Sequence, residues 1–387
     1  MRKIRVAEVI TRMDWGGSPD IVRIICSYLN PDLYDITLIS GPTKYPSVKT
    51  KEFLEKFIRK TVIIPELKRD INPISDLAAL IRLYFLFRRQ NFDIVHTHTA
   101  KAGALGRIAA FLAGKAMIVH TLHGHNFYGY FGPFFSKIIV IIEKFIASFT
   151  HNIIALTGLE KKDLVRFKIA EVEKIRLIHP GLELEKYAEM NIDKLKMKKN
   201  FNVEADESVV GMVGRLEPIK GPRYFVQAAG VVAKQFTKVK FIMVGEGSLR
   251  QRLEKQVKGE KLQNKFIFTG WREDMYEILS MLDILVLPSL NEAVGMILIE
   301  AQALGVPVIA TNVGGIPEVI RDNQTGILVP SGDIHSLAQA IMHLLEDEQK
   351  RLAMAQAARN WIRDKFKAQD MVNEISDLYQ ELISNRK

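Results

Sequence analysis

The sequence has almost no cysteine and no long uncharged hydrophobic run. Cys26 is the single cysteine among 387 residues, so no disulfide can form within the chain. Its place in the apolar segment IVRIICSYL predicts a buried, inert thiol. Arg5 and Glu8 interrupt any signal-peptide core near the start, and no uncharged stretch reaches the about 18 residues that a membrane span needs. We therefore expect a cytoplasmic enzyme, with peripheral attachment to the inner face of a membrane left open.

Three motifs that bind phosphates or metals are missing as well. No G-x-G-x-x-G segment occurs, and the nearest approach, GEGSLR at residues 245–250, lacks the third glycine. The chain contains no G-x-x-x-x-G-K-[ST] segment and no Asp-x-Asp pair. These absences disfavour a dinucleotide site, a P-loop and a magnesium-bridged diphosphate site of the Asp-x-Asp type.

What the sequence does contain is charge of one sign in one half. The formal net charge is +10. Residues 1–190 carry 28 Lys and Arg against 19 Asp and Glu, whereas the remainder carries 26 against 25. A basic first half can attract nucleic acid, anionic lipid or a phosphorylated substrate. Because no nucleic-acid-binding motif accompanies it, we expect no nucleic-acid partner.

The order of predicted elements indicates two α/β domains. At about 150 residues per domain, the length predicts two or three domains. Short β-branched runs alternate with helical patterns in the first half, and the alternation restarts in the second half. The predicted strands are 4–10, 34–40, 61–65, 93–96, 117–121, 152–155, 209–213, 240–244, 265–269, 284–288, 306–310 and 326–329. The main predicted helices are 74–90, 101–112, 134–149 and 368–383. Such alternation is typical of doubly wound parallel sheets.

A polar, lysine-rich segment marks the predicted boundary between these domains. It reads DKLKMKKN, follows the HPG segment at 179–181 and lacks the apolar content of a strand. The prediction is an N-terminal domain of residues 1–185 and a C-terminal domain of residues 186–365. The sequence does not show where the last helix, residues 366–387, docks. One arrangement is that it packs back on the N-terminal domain.

Ligands bind at the carboxyl ends of parallel strands, so the loops after strands are the places to search. The loop after the first predicted strand contains Gly16 and Gly17 and leads into a helix. Paired glycines let backbone amides approach a phosphate or a sugar closely. The alternative is a tight turn with Ser18 as N-cap and Pro19 at the first helical position.

The second domain opens with a strand that runs into the loop GRLEPIKG, residues 214–221. Arg215 and Lys220 lie five residues apart in this glycine-bounded loop. Arg215 could donate to two oxygens of a diphosphate while Lys220 supplies a point charge. The alternative is a pair of solvated surface cations.

A later loop joins a buried strand to a helix and carries two carboxylates eight residues apart. Glu292 is predicted in the loop and Glu300 about two turns into the helix, with the amides around Gly295 between them. Carboxylates can hold hydroxyl groups, and the amides of a helix start can hold phosphate. Alternatively, Glu292 caps the helix and Glu300 is a solvated helix carboxylate.

Histidines and aromatic residues cluster in the first half. Five of the nine histidines are His96, His98, His120, His123 and His125. We predict no metal there, because the pattern shows no accompanying carboxylates and adjacent strands can bring histidines together without one.

Six aromatic residues follow these histidines within nine positions, and they either fill the core or form a surface for a lipid or glycan acceptor. The six are Phe127, Tyr128, Tyr130, Phe131, Phe134 and Phe135. The first four are the predicted acceptor contacts. Lys137 and Lys144 lie nearby and suit an anionic head group.

Together these motifs resemble retaining glycosyltransferases of family 4, which have the GT-B fold. The resemblance spans nearly the whole chain. It implies two Rossmann-like domains facing each other across a cleft, and a group of enzymes that use UDP-sugars to build polysaccharides and lipid-linked glycans. The motifs that carry it are Gly16-Gly17, G-R-x-x-x-x-K-G ending at Gly221, the pair Glu292 and Glu300, A-x-G-V-P-V-I-A-T-x-V-G-G-I-P-E over 303–318, H-T-H-T-A-K-A-G over 96–103 and T-L-H-G-H over 121–125.

The resemblance implies how the donor would be bound. Glu300 would hold the ribose hydroxyls and Glu292 the hydroxyls of the donor sugar. The family's E-G-F-G loop is here E-A-V-G, so a methyl group and the loss of an aromatic ring reshape the expected sugar pocket. The remaining donor-binding set would be Gly16, Gly17, Gly214, Arg215, Lys220, Gly295, Met296 and Ile297.

It also implies which residues carry catalysis. Arg215 and Lys220 would neutralise the diphosphate leaving group, and His123 would contact the donor sugar near the reacting carbon. With Glu292 these are the predicted catalytic residues. The resemblance implies no cofactor beyond the donor substrate.

The function implied is retaining transfer of a hexosyl unit from a UDP-sugar to a hydroxyl of a glycan or a polyprenyl-diphosphate-linked acceptor. Two alternatives remain open at this point. One is a GT-B sugar-nucleotide epimerase, which would need acid and base carboxylates and no acceptor surface. The other is a non-catalytic peripheral module that binds anionic lipid, as the basic first half suggests.

Overall fold

A computed structural model describes residues 2–114, 116–124, 127, 132–188 and 192–386. The chain divides into two compact units. Unit 1 consists of Met1–Leu182 together with Lys367–Lys387, and unit 2 consists of Glu183–Phe366. Each unit is a parallel sheet flanked by helices.

The strands of the two sheets are short and, in most cases, buried along their length. The strands of unit 1 are β1 Ile4–Ile10, β2 Tyr34–Ser40, β3 Thr61–Ile63, β4 Ile94–His98, β5 Met117–Thr121, β6 Asn152–Ala155 and β7 Ile175–Leu177. Those of unit 2 are β8 Ser208–Val213, β9 Val239–Val244, β10 Phe266–Gly270, β11 Ile284–Leu287, β12 Val308–Thr311 and β13 Ile327–Val329.

Helices fill the connections between the strands. Unit 1 contains the first six helices and the last one, and unit 2 contains the others. In chain order they are α1 Gly17–Tyr28, α2 Val48–Lys56, α3 Pro73–Gln90, α4 Ala100–Ala113, α5 Pro133–Ser148, α6 Gly158–Arg166, α7 Leu184–Ala188, α8 Lys194–Asn200, α9 Pro222–Val232, α10 Arg250–Gly259, α11 Met275–Met281, α12 Met296–Ala303, α13 Ile316–Val319, α14 Ile334–Glu346, α15 Glu348–Lys365 and α16 Ala368–Ser384.

Both sheets are doubly wound, as the sequence predicts. The order is β3-β2-β1-β4-β5-β6-β7 in unit 1 and β10-β9-β8-β11-β12-β13 in unit 2, and all pairings are parallel. The chain order reverses beside β1 and β4 in one sheet and beside β8 and β11 in the other. Loops after those strands are where open α/β sheets bind ligands.

Helix ends follow the local sequence. The Asn72 side chain accepts a hydrogen bond from the Ser75 amide and caps α3, whose first residue is Pro73. The helix stops where Asn91 adopts a left-handed conformation with φ of 48°.

The core of unit 2 is one large buried cluster that includes Phe225, Phe241 and Phe266, whose rings contact one another. Unit 1 has smaller clusters. One lies around Phe87 and Phe92, and another includes Phe127 and packs against the later part of α5 and the end of α6.

Three local features were not predicted from the sequence or differ from an alternative considered there. The first helix begins at Gly17 with Gly16 as N-cap, so Ser18 does not cap it. The sequence did not predict β7, because a three-residue strand with Arg176 at its centre has no apolar pattern. The lysine-rich segment, for which no helix was predicted, contains the helix Lys194–Asn200, and Asp193 caps it.

Candidate active site

In unit 2, the loops after β8 and β11 pack closely against each other. The Leu290 amide donates to the Ile219 carbonyl at 2.8 Å. Gly221 has a φ of 66°, and a Cβ there would lie 2.0 Å from the Pro288 carbonyl oxygen. Only glycine fits this approach, which brings the cationic loop at 214–221 against the carboxylate loop that follows β11.

The contact between these loops is an ion pair. Lys220 Nζ donates to Glu292 Oε2, and the Ser289 hydroxyl donates to the same oxygen at 3.2 Å. Both charged side chains are partly exposed, at 21% and 12%. The pair therefore stays within reach of a ligand, and Lys220 is not a solvated surface cation.

The loop after β12 holds the backbone of Glu292 from the other side. The Gly315 amide donates to the Glu292 carbonyl at 3.1 Å, and a Cβ on Gly314 would lie 1.7 Å from that oxygen. Three consecutive loops along the carboxyl edge of the sheet thus fix one carboxylate, which is the precision that a binding group needs.

The N-terminus of α12 lies next in the chain. Gly295 is its N-cap with a φ of 80°, and the Glu292 carboxylate contacts Lys220 and Ser289 instead of occupying the cap position. The amides of Met296 and Ile297 are in the first turn, where helical amides have no intrahelical acceptor. Glu300 lies in the same helix and is partly buried. The arrangement offers amide donors and a partial positive charge to an anion.

Gly214 and Arg215 begin the cationic loop. Gly214 directly follows β8 with a φ of 152°, and its amide donates to the Val244 carbonyl at 2.9 Å. The Arg215 side chain is partly buried. Two cations therefore occupy the loop after β8, as the spacing predicts.

In unit 1, β4 and β5 are neighbours, and His98 pairs in register with Thr121. His123 follows two residues after the end of β5. Its Nε2 lies 2.9 Å from His98 Nδ1. The His123 backbone adopts a φ of 58°, a conformation that costs free energy for residues other than glycine. Loop geometry thus directs this ring to His98.

The loop that carries His123 is tied down by α6. Glu160 accepts hydrogen bonds from the Gly124 amide at 2.9 Å and from the Leu156 amide at 2.7 Å. The Thr157 side chain caps α6 and accepts from the Glu160 amide. A buried carboxylate at the start of a helix therefore holds the two loops after β5 and β6 together.

Beneath His98 lies a carboxylate that the sequence interpretation missed. Glu8 is fully buried on β1, and its Oε2 lies 2.7 Å from His98 Nε2. The Tyr379 hydroxyl donates to Glu8 Oε1 at 2.8 Å and lies 2.6 Å from His96 Nδ1. The assumption that no carboxylate accompanies the histidines is wrong, because a lone glutamate in a strand gives no sign that its side chain points inward.

Burial and neighbouring groups shift the pKa values of this cluster. Burial alone would raise the pKa of Glu8, but the charges and hydrogen bonds of His96 and His98 outweigh it and hold that pKa well below its usual range. Burial lowers the pKa of His98 to about 4. Burial and the nearby His98 and His96 lower the pKa of His123 as well. Near pH 7, Glu8 is therefore ionised and His98 and His123 are neutral.

The glycine loop after β1 is held by its own side chains. Asp14 accepts from the amides of Lys44 and Tyr45 at 2.7 and 2.8 Å. Gly16, with a φ of 152°, and Gly17 are partly buried at the start of α1. The loop thus presents a helix start at the carboxyl edge of β1.

The aromatic residues do not behave as one group. Phe127 is buried in a core cluster, with its ring 5.5 Å from that of Phe167, which corresponds to the core alternative. Tyr128, Tyr130 and Phe131 lie outside the described residues. Phe134 and Phe135, on α5, are 70% and 63% exposed. None of the helices in the described part of the chain is long and apolar enough to span a membrane.

Two family models match the chain, one for each half. The model described as Glycosyltransferase Family 4 matches residues 15–186, and the model described as Glycosyl transferases group 1 matches residues 193–361. The two matches coincide with most of unit 1 and of unit 2.

Similar proteins match most or nearly all of the chain. The chain is 34% identical over 391 residues to the UDP-Gal:alpha-D-GlcNAc-diphosphoundecaprenol alpha-1,3-galactosyltransferase of Escherichia coli, covering 99% of this chain and 98% of that protein. It is 28% identical to the capsular polysaccharide biosynthesis glycosyltransferase CapM of Staphylococcus aureus, covering 83% of this chain and 85% of that protein.

Solved structures agree on the fold. The Anabaena protein HepE, solved in complex with UDP and glucose, superposes with a TM-score of 0.83 at 21% identity, covering 98% of this chain and 100% of that one. WaaG, a glycosyltransferase involved in lipopolysaccharide biosynthesis, gives 0.77 at 16% identity over 97% and 99%. The family expected from the motifs is confirmed: the chain is a glycosyltransferase of family 4 and has the GT-B fold.

Proposed function

We propose that this enzyme transfers a hexosyl unit from a UDP-sugar to a hydroxyl of a lipid-diphosphate-linked glycan, with retention at the anomeric carbon. The observation that carries the proposal is the Lys220–Glu292 pair beside the start of α12. It combines a cation and a hydroxyl-binding carboxylate at the carboxyl edge of one sheet, which matches the two halves of a sugar diphosphate.

The diphosphate is the first partner in this proposal. Lys220 and Arg215 supply two positive charges, and the amides of Gly295, Met296 and Ile297 supply donors at a helix N-terminus. These groups stabilise the charge that develops as the bond between the anomeric carbon and the phosphate oxygen breaks. Gly214 lets the loop pass close to that phosphate.

The sugar and the ribose are the second partners. Glu292 accepts from hydroxyls of the donor sugar, and Glu300 accepts from the ribose hydroxyls. When the donor enters, Lys220 shifts part of its contact from Glu292 to phosphate, which leaves the carboxylate available to the sugar. His123 and the Gly16-Gly17 loop of unit 1 contact the donor sugar.

The bond changes balance without an external base. The acceptor oxygen forms a bond to the anomeric carbon on the face that the diphosphate leaves. The acceptor proton passes to the departing phosphate oxygen, and the leaving group is released as UDP. The chain thus has to stabilise a leaving group and position an acceptor, and needs no strong general base.

The donor and acceptor classes are supported by the Escherichia coli relative, whose name gives UDP-galactose as donor and a diphosphoundecaprenol-linked acceptor. An assay of UDP release and product formation should use UDP-galactose, UDP-glucose and UDP-N-acetylglucosamine, with and without that acceptor. We expect acceptor-dependent UDP release and an α-linked product, read from its anomeric NMR signals. Formation of a sugar epimer without UDP release would favour the epimerase, and no turnover would favour a binding module.

We further propose that unit 1 contacts an anionic membrane through α5. Phe134, Ile138, Ile141 and Phe145 follow helical spacing and are all exposed, between 38% and 70%. The other side of α5 is anchored by an ion pair of 2.7 Å between Glu143 and the buried Arg107. The apolar stripe therefore faces outward on a firmly held helix.

The charges on α5 indicate that its partner is a lipid surface rather than another protein. Lys137 and Lys144 lie on the same helix seven residues apart and are exposed. Each basic residue near an anionic surface contributes on the order of 1 kcal/mol, and the rings add interfacial burial. The enzyme would then lie at the membrane in which a lipid-linked acceptor is anchored.

Co-sedimentation with vesicles tests this contact. The double variant Phe134→Ser and Phe145→Ser should lose binding to vesicles containing phosphatidylglycerol, and wild-type binding should weaken with salt. Leu352→Ser is the matched control, because Leu352 is 62% exposed on α15 of unit 2. Equal binding by all three proteins would show that α5 does not meet lipid.

A further inference from the structure

The buried chain of Glu8, His98 and His123 has a definite hydrogen-bonding order. Glu8 Oε2 lies 2.7 Å from His98 Nε2, and His98 Nδ1 lies 2.9 Å from His123 Nε2. Glu8 and His98 have no exposed surface, whereas His123 is partly buried. The chain therefore runs from the core of unit 1 to a residue that is partly exposed.

The positions of the protons follow from which atoms can accept. An ionised carboxylate only accepts, so His98 must carry its proton on Nε2. A neutral imidazole then has a lone pair on Nδ1, so the proton between His98 and His123 must come from His123 Nε2. The same rule leaves the Nδ1 of a neutral His123 unprotonated.

Neighbouring groups hold this order in place. The Tyr379 hydroxyl donates to Glu8 Oε1 and lies 2.6 Å from His96 Nδ1. His96 Nε2 lies 2.8 Å from the Thr121 hydroxyl. Every ring nitrogen of His96 and His98 thus has a partner on β1, β5, α16 or the His123 loop, and neither ring can turn over without breaking hydrogen bonds.

We propose that Glu8 and His98 are positioning residues that lock His123 in the tautomer protonated on Nε2, so that its Nδ1 accepts a hydrogen bond from a hydroxyl of the donor sugar. This inference rests on the proposed role of His123. A ring locked in this way favours a sugar whose hydroxyl can donate a hydrogen bond over one that presents only an acceptor at that position. It also needs no reorganisation when the donor binds.

A metal ion is the competing occupant of this cluster. Glu8, His96 and His98 each offer one ligand atom, and these atoms lie within 4.8 Å of one another. Each of them already has a hydrogen-bonding partner in the cluster, at 2.6 to 2.7 Å. Those contacts suit shared protons, so a bound metal is an outcome of the test and not the proposal.

The first test reads the tautomers directly in the full-length wild-type protein without substrate. Histidine labelled with ¹⁵N reports which ring nitrogen carries hydrogen, and His98→Gln and His123→Gln assign the signals. We expect His98 and His123 both protonated on Nε2 at pH 7.5. A His123 signal protonated on Nδ1, averaged tautomers, or a stoichiometric metal found by elemental analysis would each overturn the proposal.

The second test links the tautomer to transfer. Glu8→Gln can donate or accept toward His98, so it releases the lock. We expect averaged tautomers for His98 and His123, a fall in kcat of about tenfold or more, and little change in the KM for the donor or the Kd for UDP. An unchanged kcat with released tautomers would show that the lock has no role in the reaction.

His120→Gln is the control for a merely structural effect. His120 is buried on β5 and its Nδ1 lies 2.9 Å from both the hydroxyl and the carbonyl of Thr97, outside the chain to His123. This variant should alter stability but leave the His123 tautomer and kcat within about twofold. If no sugar transfer is found for any variant, the proposed function fails, while the tautomer measurement still decides the order of protons.

Discussion

The two units share one architecture but treat charge and apolar surface in opposite ways. Unit 1 buries an ionised glutamate together with histidines in its core and exposes apolar side chains along α5. Unit 2 keeps the Lys220–Glu292 ion pair at the carboxyl edge of its sheet, partly exposed. Among the described residues, its exposed large apolar side chains are only Leu195, Trp271, Leu290 and Leu352.

This difference suggests two kinds of electrostatic work. Partly exposed cations in unit 2 can change partners when an anion arrives, because water and loop motion accommodate the exchange. The buried cluster in unit 1 cannot change partners at low cost, so it fixes one arrangement. The comparison predicts that unit 2 stabilises a developing charge, whereas unit 1 positions the groups around it.

The largest expected effect is on the charge in unit 2. Lys220→Ala removes the cation that pairs with Glu292 and that we assign to the leaving diphosphate. By analogy with the loss of one oxyanion donor, kcat should fall about a hundredfold or more, a cost of about 3 kcal/mol. Steady-state kinetics on the best donor of the panel measure this, and the ratio of rates between donor sugars should change much less.

Lys350→Ala is the matched control, since Lys350 is at the start of α15, away from these loops. A small effect of similar size at both positions would show that Lys220 has no catalytic role.

The next effect concerns the division of labour between the units. His123→Ala should cripple transfer while UDP affinity stays nearly unchanged, because the nucleotide is assigned to unit 2. Isothermal titration with UDP alongside kinetics gives both quantities. Since His123 has a φ of 58°, His123→Asn is the companion variant, as Asn tolerates that backbone well. Loss of UDP binding in both variants, with the fold intact, would contradict this division.

Acid should weaken unit 1 before unit 2. The pKa of His98 is about 4 in the folded protein and about 6.5 in an unfolded chain, so the unfolded state takes up the proton first. The free energy of unfolding should therefore decrease as the pH falls from about 6.5 to about 4, on the order of 3 kcal/mol from this residue. Glu8, whose pKa is lowered, adds to the loss at the acid end.

Hydrogen exchange by mass spectrometry, corrected for intrinsic rates, separates the units. Protection of β1 and β4 should fall more steeply between pH 6.5 and 4.5 than protection of β8 and β11. His98→Gln should flatten the slope for unit 1. Parallel slopes in the wild type would mean that the buried cluster does not set the acid response.

The sequence predicted the parallel sheets well because apolar runs have sharp ends. The predicted limits of β1, β2, β5 and β6 match the structure. The limits of the other predicted strands differ from it by one or two residues at an end. Residues 306–310 were predicted as a strand, but Val308–Thr311 forms it, because a proline at 307 cannot donate to the ladder.

The cationic and carboxylate loops could also be located, since glycine, charge and spacing occur together after strands. The buried chain of Glu8, His98 and His123 could not be located from the sequence. Glu8, His98 and Tyr379 are far apart in the sequence, and only the pairing of β1 with β4 and the return of α16 bring them together. Long-range polar contacts of this kind leave no periodic signal in one sequence.

The smallest expected effect sharpens the comparison through a metal chelator. We expect EDTA to leave turnover essentially intact, because Lys220, Arg215 and the start of α12 supply the positive charge that a metal gives elsewhere, and the chain has no Asp-x-Asp pair. Loss of turnover that magnesium or manganese restores would place a metal at the diphosphate in unit 2. Loss that zinc alone restores would instead indicate Glu8, His96 and His98 of unit 1, whose imidazoles suit zinc better than magnesium.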